Sequence, residues 1–315
     1  MVRAKEWVLT HSRRVGTLVG LFLLGAFLSF KTPFFLTTSN LLNIMEQTAI
    51  NAVIAVGMTF VILSAGIDLS VGSITALAGV IMADRLQADW PIPLAIAAGL
   101  LIGAFCGLIS GALITRGKLP PFIATLGMMS VARGAALLFT DGRPISGFSD
   151  SLRWLSTGRL VAIPVPVLLT ILLYVVATVL LSRTRFGRYV YAIGGNEEAT
   201  RLSGVAVGFH KTLVYVLSGV TASLAAVLLT ARLNSAQPIA GMSYELDAIA
   251  AVVIGGTSLT GGLGTLGGTL IGALTMGVLR NGLNLLGISS FLQQIVIGLV
   301  IIAAVLMDSL VKSKR

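Results

Sequence analysis

Ten apolar stretches recur along this chain, at residues 15–30, 43–64, 71–86, 93–114, 120–139, 163–182, 211–231, 247–264, 268–286 and 291–309. Most approach the roughly 20 residues that an α-helix needs to cross a bilayer. Their apolar residues run on without a period of two, which points to helices and away from a membrane β-barrel. Only 11% of the 315 residues are charged while 56% are hydrophobic, against about a quarter charged in a soluble domain. The expected fold is an all-α integral membrane protein, one transmembrane domain over 1–315. It would be a polytopic bundle of about 8–10 membrane helices, since the pairs 43–64/71–86 and 247–264/268–286 have almost no loop between them. Each of those pairs reads either as two spans or as one broken helix with a re-entrant piece.

The net charge of +10 is topology signal and not a nucleic-acid surface, because the basic residues collect in short segments between apolar ones. With ten spans and both termini inside, one side holds fourteen Lys and Arg and the other six. That asymmetry places the basic N-terminus (1–14), the long 183–210 segment and the C-terminus in the cytoplasm. The N-terminus resembles a signal peptide in outline, but "KTPFF" follows where small residues would mark cleavage, so it is expected to stay as a first helix. Cys106 is the only cysteine, and His11 and His210 lie in polar stretches without a second ligand at metal spacing. No disulfide framework, metal site or catalytic triad is readable.

Glycine organises the interior. Gly99, Gly103, Gly107 and Gly111 recur every four residues on the fourth span, a groove that lets another helix backbone approach closely. "GIDLSVG" (Gly66 to Gly72) echoes "GTSLTGG" (Gly256 to Gly262), each ending one span and opening the next. Paired glycine-interrupted segments in two halves of a membrane chain point to a transport pathway, and the topology gives both copies the same orientation. "GGLGTLGG" contains a G-x-G-x-x-G, but no strand precedes it and no acid follows at dinucleotide-site spacing. "GALITRGKL" has five residues between its glycines and a leucine where a P-loop needs Ser or Thr. The chain carries no visible ATPase and is not expected to be an enzyme.

Within 183–210, Glu197 to Leu202 are strong helix formers, with Asn196 placed as N-cap, acids in the first turn and Gly204 as a stop. A short helix held between two spans has the shape needed to dock on a soluble partner.

The stretches "GMTFVILSAGIDLSVGS", "FIATLGMM", "GRYVYAIGGNEEATRLSGV" and "SAQPIAGMSYELDAIAAVVIGGTSL" resemble the membrane permeases of bacterial ABC importers for monosaccharides. The resemblance runs from about Phe34 to Asp308, and "SAQP", "YELDAIAAVV" and "NGLNLLG" favour ribose as the sugar. It implies a permease homodimer in the lipid of the bacterial inner membrane, multi-pass, with no nucleic-acid partner. A cytoplasmic ABC ATPase would bind ATP and Mg, with no cofactor in this chain, and an extracytoplasmic sugar-binding protein would deliver the ligand. In such permeases a short loop helix transmits ATPase closure to the spans. The matching residues here would be Gly195, Asn196, Glu197, Ala199, Arg201 and Gly204.

Polar side chains at membrane depth are costly and therefore functional candidates. Asn51 and Thr59 lie in the second span, Asp68, Ser70 and Ser73 follow it, and Thr257, Ser258 and Thr260 follow the other broken span. Asn281, Asn284, Gln293 and Gln294 belong to the last two spans. Neutral hydrogen-bonding groups in this number suit a sugar and not an ion, which leaves an ion-coupled secondary transporter as the alternative. Asp68 has three readings: a cap for the third span, a partner for a buried Arg133 or Arg280, or a contact to sugar hydroxyls. Glu245 and Asp247, just before the eighth span, read as caps.

Overall fold

The computed structural model describes the backbone of residues 2–313 and the side chains of residues 16–306. The basic residues of 1–14 and of the C-terminal end lie outside the described side chains. Helix α1 (Val2–Lys31) leads to α2 (Thr38–Leu63), α3 (Val71–Gln87), α4 (Ile92–Thr115) and α5 (Pro121–Thr140). A short surface helix α6 (Asp150–Thr157) precedes α7 (Val165–Arg183), then α8 (Arg185–Gly195), α9 (Glu197–Leu202) and α10 (Val207–Leu233). The chain closes with α11 (Tyr244–Ile254), α12 (Leu266–Leu285) and α13 (Ser290–Ser313). Nine of the ten predicted apolar stretches therefore fall on helices over almost their whole length, and the 247–264 stretch does so only as far as Ile254. Five of these, α2, α4, α5, α7 and α10, are by themselves long and apolar enough to cross a membrane. The only strands among the described residues are two-residue pairings that tie loops together.

Helix α2 is the axis of the bundle. In its most apolar stretch 83% of residues are buried, against 28% in α4 and α5. A helix that is apolar all round belongs in the interior, and α10, α12, α11, α7 and α8 pack around this one. The faces of α4, α5 and α7 that carry Leu101, Phe105, Leu138 and Leu172 stay exposed, as lipid-facing helices require.

The glycine ladder does what its spacing predicts. A Cβ at Gly103 would strike the Gly219 carbonyl of α10, one at Gly107 the Tyr215 carbonyl, and one at Gly111 would come 2.7 Å from the Thr212 Cα. Gly99 turns to α3, where a Cβ would sit 3.0 Å from the Ala78 oxygen. Bare glycine lets two backbones meet without intervening side chains.

The predicted 247–264 span is a correction. Its helix stops at Ile254, and 255–265 is a non-helical loop. Gly256, Gly261, Gly262 and Gly264 take positive φ there, which terminates the helix. Gly255 and Gly272 then let α12 lie directly on the backbone of α11. The 183–210 segment also holds more helix than expected, since α8 precedes the short α9. His210, which the sequence places in a polar stretch, is half-buried against Tyr189, with ring centroids 4.7 Å apart, beside Phe186 and Phe209.

Candidate functional site

Away from the α8–α9 end, the ends of α2, α10 and α12 and the starts of α11 and α13 enclose a cavity of about 350 Å³. Gln47, Asn51, Arg232, Tyr244, Arg280, Asn284 and Gln293 supply its polar lining. Helical spacing brings these groups together. Gln47 and Asn51 are four apart on α2, and Arg280 and Asn284 four apart on α12, so each pair shares one face. Below them α2 is closed, with Ile54 to Val56 and Phe60 to Leu63 fully buried.

Asp247 anchors this vestibule. It is 1% exposed, and its two oxygens accept from the Arg280 Nη2 at 2.8 and 2.6 Å. Asn51 Nδ2 donates to the same carboxylate at 3.3 Å. The Arg280 guanidinium is thereby held with its Nε unpartnered, and Asn51 keeps an unpartnered Oδ1. Gln293 donates to Asn284 Oδ1 at 2.8 Å, and Arg232 reaches Asn43 at 3.4 Å. The unpartnered Arg280 and Asn51 atoms are themselves buried, so it is the remaining amide and guanidinium groups of the lining that can meet the hydroxyls of a polyol, each of which both donates and accepts. The unit is a wettable pocket with fixed hydrogen-bonding groups, in which Asp247 offsets the charge of Arg280 and Arg232 adds a second cation.

Of the sequence candidates, Asn51, Asn284 and Gln293 meet here, and the rest do not. Asn281 exchanges hydrogen bonds with Asn40 at 2.8 and 3.0 Å, pinning α12 to α2. Thr59 lies 2.8 Å from Thr269, another α2–α12 contact. Thr257 and Ser258 are buried in the second joint, where Ser258 lies 3.0 Å from Thr260. Ser73 is buried in the first turn of α3, and Gln294 is exposed. Gln47, Arg232 and Tyr244 escaped the sequence reading. For Gln47 and Tyr244 the available signal was a polar residue one helical turn from Asn51 and Asp247, and Arg232 carried no such signal.

Asp68 resolves differently from its ion-pair reading. Its Oδ1 accepts from the Ser70 N–H at 2.9 Å and the Ser70 hydroxyl at 2.5 Å, while Oδ2 accepts from Ser218 at 2.7 Å. Arg133 instead donates to the carbonyls of Pro238 and Ala240, and Arg280 belongs to Asp247. Asp68 is not the N-cap residue of α3 either, a position held by Ser70. It fastens the turn that leads into α3 and ties it to α10. Glu245 and Asp247 also depart from the capping expectation. Asp247 is the vestibule anchor, and the Glu245 carboxylate lies beside Gly72 in the first turn of α3, where the helix dipole favours an anion.

Asp68→Ala is expected to destabilise the protein by about 1–3 kcal/mol, because it strands the buried Ser70 and Ser218 groups. Asp68→Asn, which can still accept from Ser70 and donate to Ser218, should cost clearly less. Thermal unfolding in detergent checks the ordering; equal midpoints for the two variants would remove Asp68 from this role.

At the other end, Asn196 caps α9 by accepting from the Ala199 N–H at 2.9 Å. Glu197 and Glu198 occupy the first turn, and Gly204 takes φ +83°. Glu197 pairs with Lys211 of α10 at 2.9 Å, Arg201 pairs with Glu198, and Leu202 is 79% exposed. Gly195, with open space where a Cβ would stand, and Ala199 complete the stretch.

The family model described as "branched-chain amino acid transport system / permease component" matches residues 40–305. The ribose import permease protein of Haemophilus influenzae is 52% identical over 94% of this chain and 93% of its own. That of Escherichia coli K12 is 49% identical over 97% and 95%. The D-allose transport system permease protein of Escherichia coli K12 is 42% identical over 90% and 87%. No solved structure matches the chain.

Proposed function

From the chain's membership of this transport-system permease family, we propose that it is the membrane permease of an ATP-driven importer for a monosaccharide, foremost ribose. The observation that carries the reading is the vestibule. Asp247 holds Arg280 and Asn51 in the wall of a cavity of about 350 Å³ that Gln47, Arg232, Tyr244, Asn284 and Gln293 also line with polar groups. That volume sits at the small end of the roughly 300–1,000 Å³ usual for small-ligand sites. Ribose as the sugar is supported by the ribose import permeases near 50% identity.

In this reading the vestibule faces outward and receives ribose from an extracytoplasmic binding protein. The α8–α9 segment and both termini lie in the cytoplasm of a bacterial inner-membrane protein. An ABC ATPase, which binds ATP and Mg, docks on α9, where exposed Leu202 supplies an apolar knob. Two permease chains pair across their lipid-embedded helices. The pathway then runs from Asn51, Asn284 and Gln293 past the closed length of α2 to the two joints at 64–70 and 255–265. Neutral groups along it bind a sugar weakly enough to let it leave.

Reconstitution with the cognate ATPase and binding protein tests the reading. Labelled ribose uptake should require ATP, resist an uncoupler and exceed that of other pentoses and hexoses. Uptake that collapses with the uncoupler and persists without ATP would establish the ion-coupled alternative. Glu197→Ala with Gly204→Pro removes the α9–α10 ion pair and forces φ to about −65° where +83° is needed. ATP hydrolysis should continue while uptake falls at least about tenfold, the scale on which misplaced mechanical parts act. Undiminished uptake would reject α9 as the coupling element.

A further inference from the structure

The two interrupted joints, which the sequence relates only by weak similarity, touch each other and share one neighbour. Gly262 N–H donates to the Leu63 carbonyl at 2.9 Å, so the second joint is bonded to the end of α2. The C-terminal turn of α8 lies against both. A Cβ at Gly194 would overlap the Leu63 oxygen and come 2.5 Å from the Gly262 nitrogen. One at Gly261 would come 2.9 Å from both the Ala65 nitrogen and the Gly194 Cα. One turn earlier, Tyr191 donates its hydroxyl to the Gly264 carbonyl at 2.8 Å. Phe186, at the start of α8, stacks on Phe60 of α2 with ring centroids 6.1 Å apart.

Directly after this turn comes the cap of α9, with only Asn196 between the helices. Displacement of α9 therefore passes to α8 with no flexible linker to absorb it. A rigid element hydrogen-bonded to one loop through Tyr191 and seated against both at Gly194 is placed to bias whether the Gly262–Leu63 bond between them holds. Glycine at 194, 261 and 262 permits this backbone-to-backbone seating, and Gly261 and Gly262 take φ of +86° and +72°, where L-residues are strained.

We propose that Tyr191 and Gly194 are positioning residues that clamp the 64–70 and 255–265 joints together at the α8 end of the bundle, and that movement of α9 releases the clamp. The inference rests on α9 as the ATPase-facing helix and adds the route by which its motion reaches the pathway. Neither residue touches the sugar.

The test uses the complete importer, permease with ATPase and binding protein, in proteoliposomes. Tyr191→Phe keeps the ring and removes the hydroxyl; Gly194→Ala unseats the turn. Both should fold, as judged by size-exclusion profile. Both should lower the ratio of binding-protein-stimulated to basal ATP hydrolysis about threefold to tenfold, within the range over which residues on a coupling network modulate linkage. A helix that is merely packed would shift the thermal midpoint and leave this ratio alone. A ratio equal to that of the unaltered importer in Tyr191→Phe overturns the clamp, whatever Gly194→Ala does. Absent ribose import in the unaltered importer would instead strike the sugar assignment, since the hydrolysis ratio is read without it. A second measurement covers a Gly194→Ala chain that fails to fold. Amide exchange at Gly262 in the unaltered importer should be slow without nucleotide and accelerate when a non-hydrolysable ATP analogue is bound. Equal protection in both states would overturn the proposal.

Discussion

Gly107→Val is expected to abolish recovery of folded protein. At this position α4 lies against the backbone of α10, so that any Cβ would overlap the Tyr215 carbonyl and come within 2.8 Å of the Val216 Cα. No side-chain rotation relieves a backbone clash, and separating the helices would also undo the seats at Gly103 and Gly111. These helices form the most extensive pair in the bundle. Overpacking costs about 1–3 kcal/mol where side chains can yield, and here they cannot. Gly127→Val is the matched comparison, because nothing lies within 4 Å of a Cβ there. Fluorescence-detected size exclusion should show aggregate for Gly107→Val and a single peak for Gly127→Val. A monodisperse Gly107→Val protein with an unchanged melting midpoint would mean that the ladder does not hold α4 to α10.

Loss of the Asp247–Arg280 pair carries the second large effect. Removing one member of a buried pair costs about 3–5 kcal/mol, a range to be discounted here because the Arg280 side chain is 36% exposed. The two single variants are not equivalent. Arg280→Ala leaves a buried carboxylate with Asn51 as its remaining described partner, whereas Asp247→Ala leaves a cation that still reaches the cavity. Arg280→Ala should therefore be the less stable. Asp247→Asn with Arg280→Gln removes both charges and should recover much of the melting temperature. Ribose uptake should nevertheless stay down at least about tenfold, the cost of displacing positioned groups. Recovery of both stability and uptake in the double variant would make the pair a helix pin and take the vestibule out of the pathway.

Much of this architecture is legible in sequence because the bilayer imposes it. Lipid offers no partner for backbone polar groups, so each apolar run of sufficient length becomes a helix. The ladder is readable for a related reason, since four glycines at one-turn intervals mark one face of one helix. Asn196 and Gly204 are readable because caps and stops act within a few residues. The vestibule is only half readable. Asn51, Asn284 and Gln293 stand out as polar residues in apolar surroundings, but so do Asn281 and Thr59, which join helices instead. Both kinds of residue carry the same local signature, and only the neighbouring helix decides which role each takes.

What the sequence determined by itself is therefore the membrane helices, the two glycine-rich interruptions and the short capped helix at Glu197–Leu202. Each depends on residues within a turn or two, or on the lipid solvent. Tertiary structure alone decided that Asp68 ties to Ser218 and Asp247 to Arg280. It also decided that the second interruption ends its helix at Ile254 and that both interruptions meet Gly194. Those partners lie far apart along the chain. A buried carboxylate must find some donor, but its identity follows from helix packing, which no local spacing encodes.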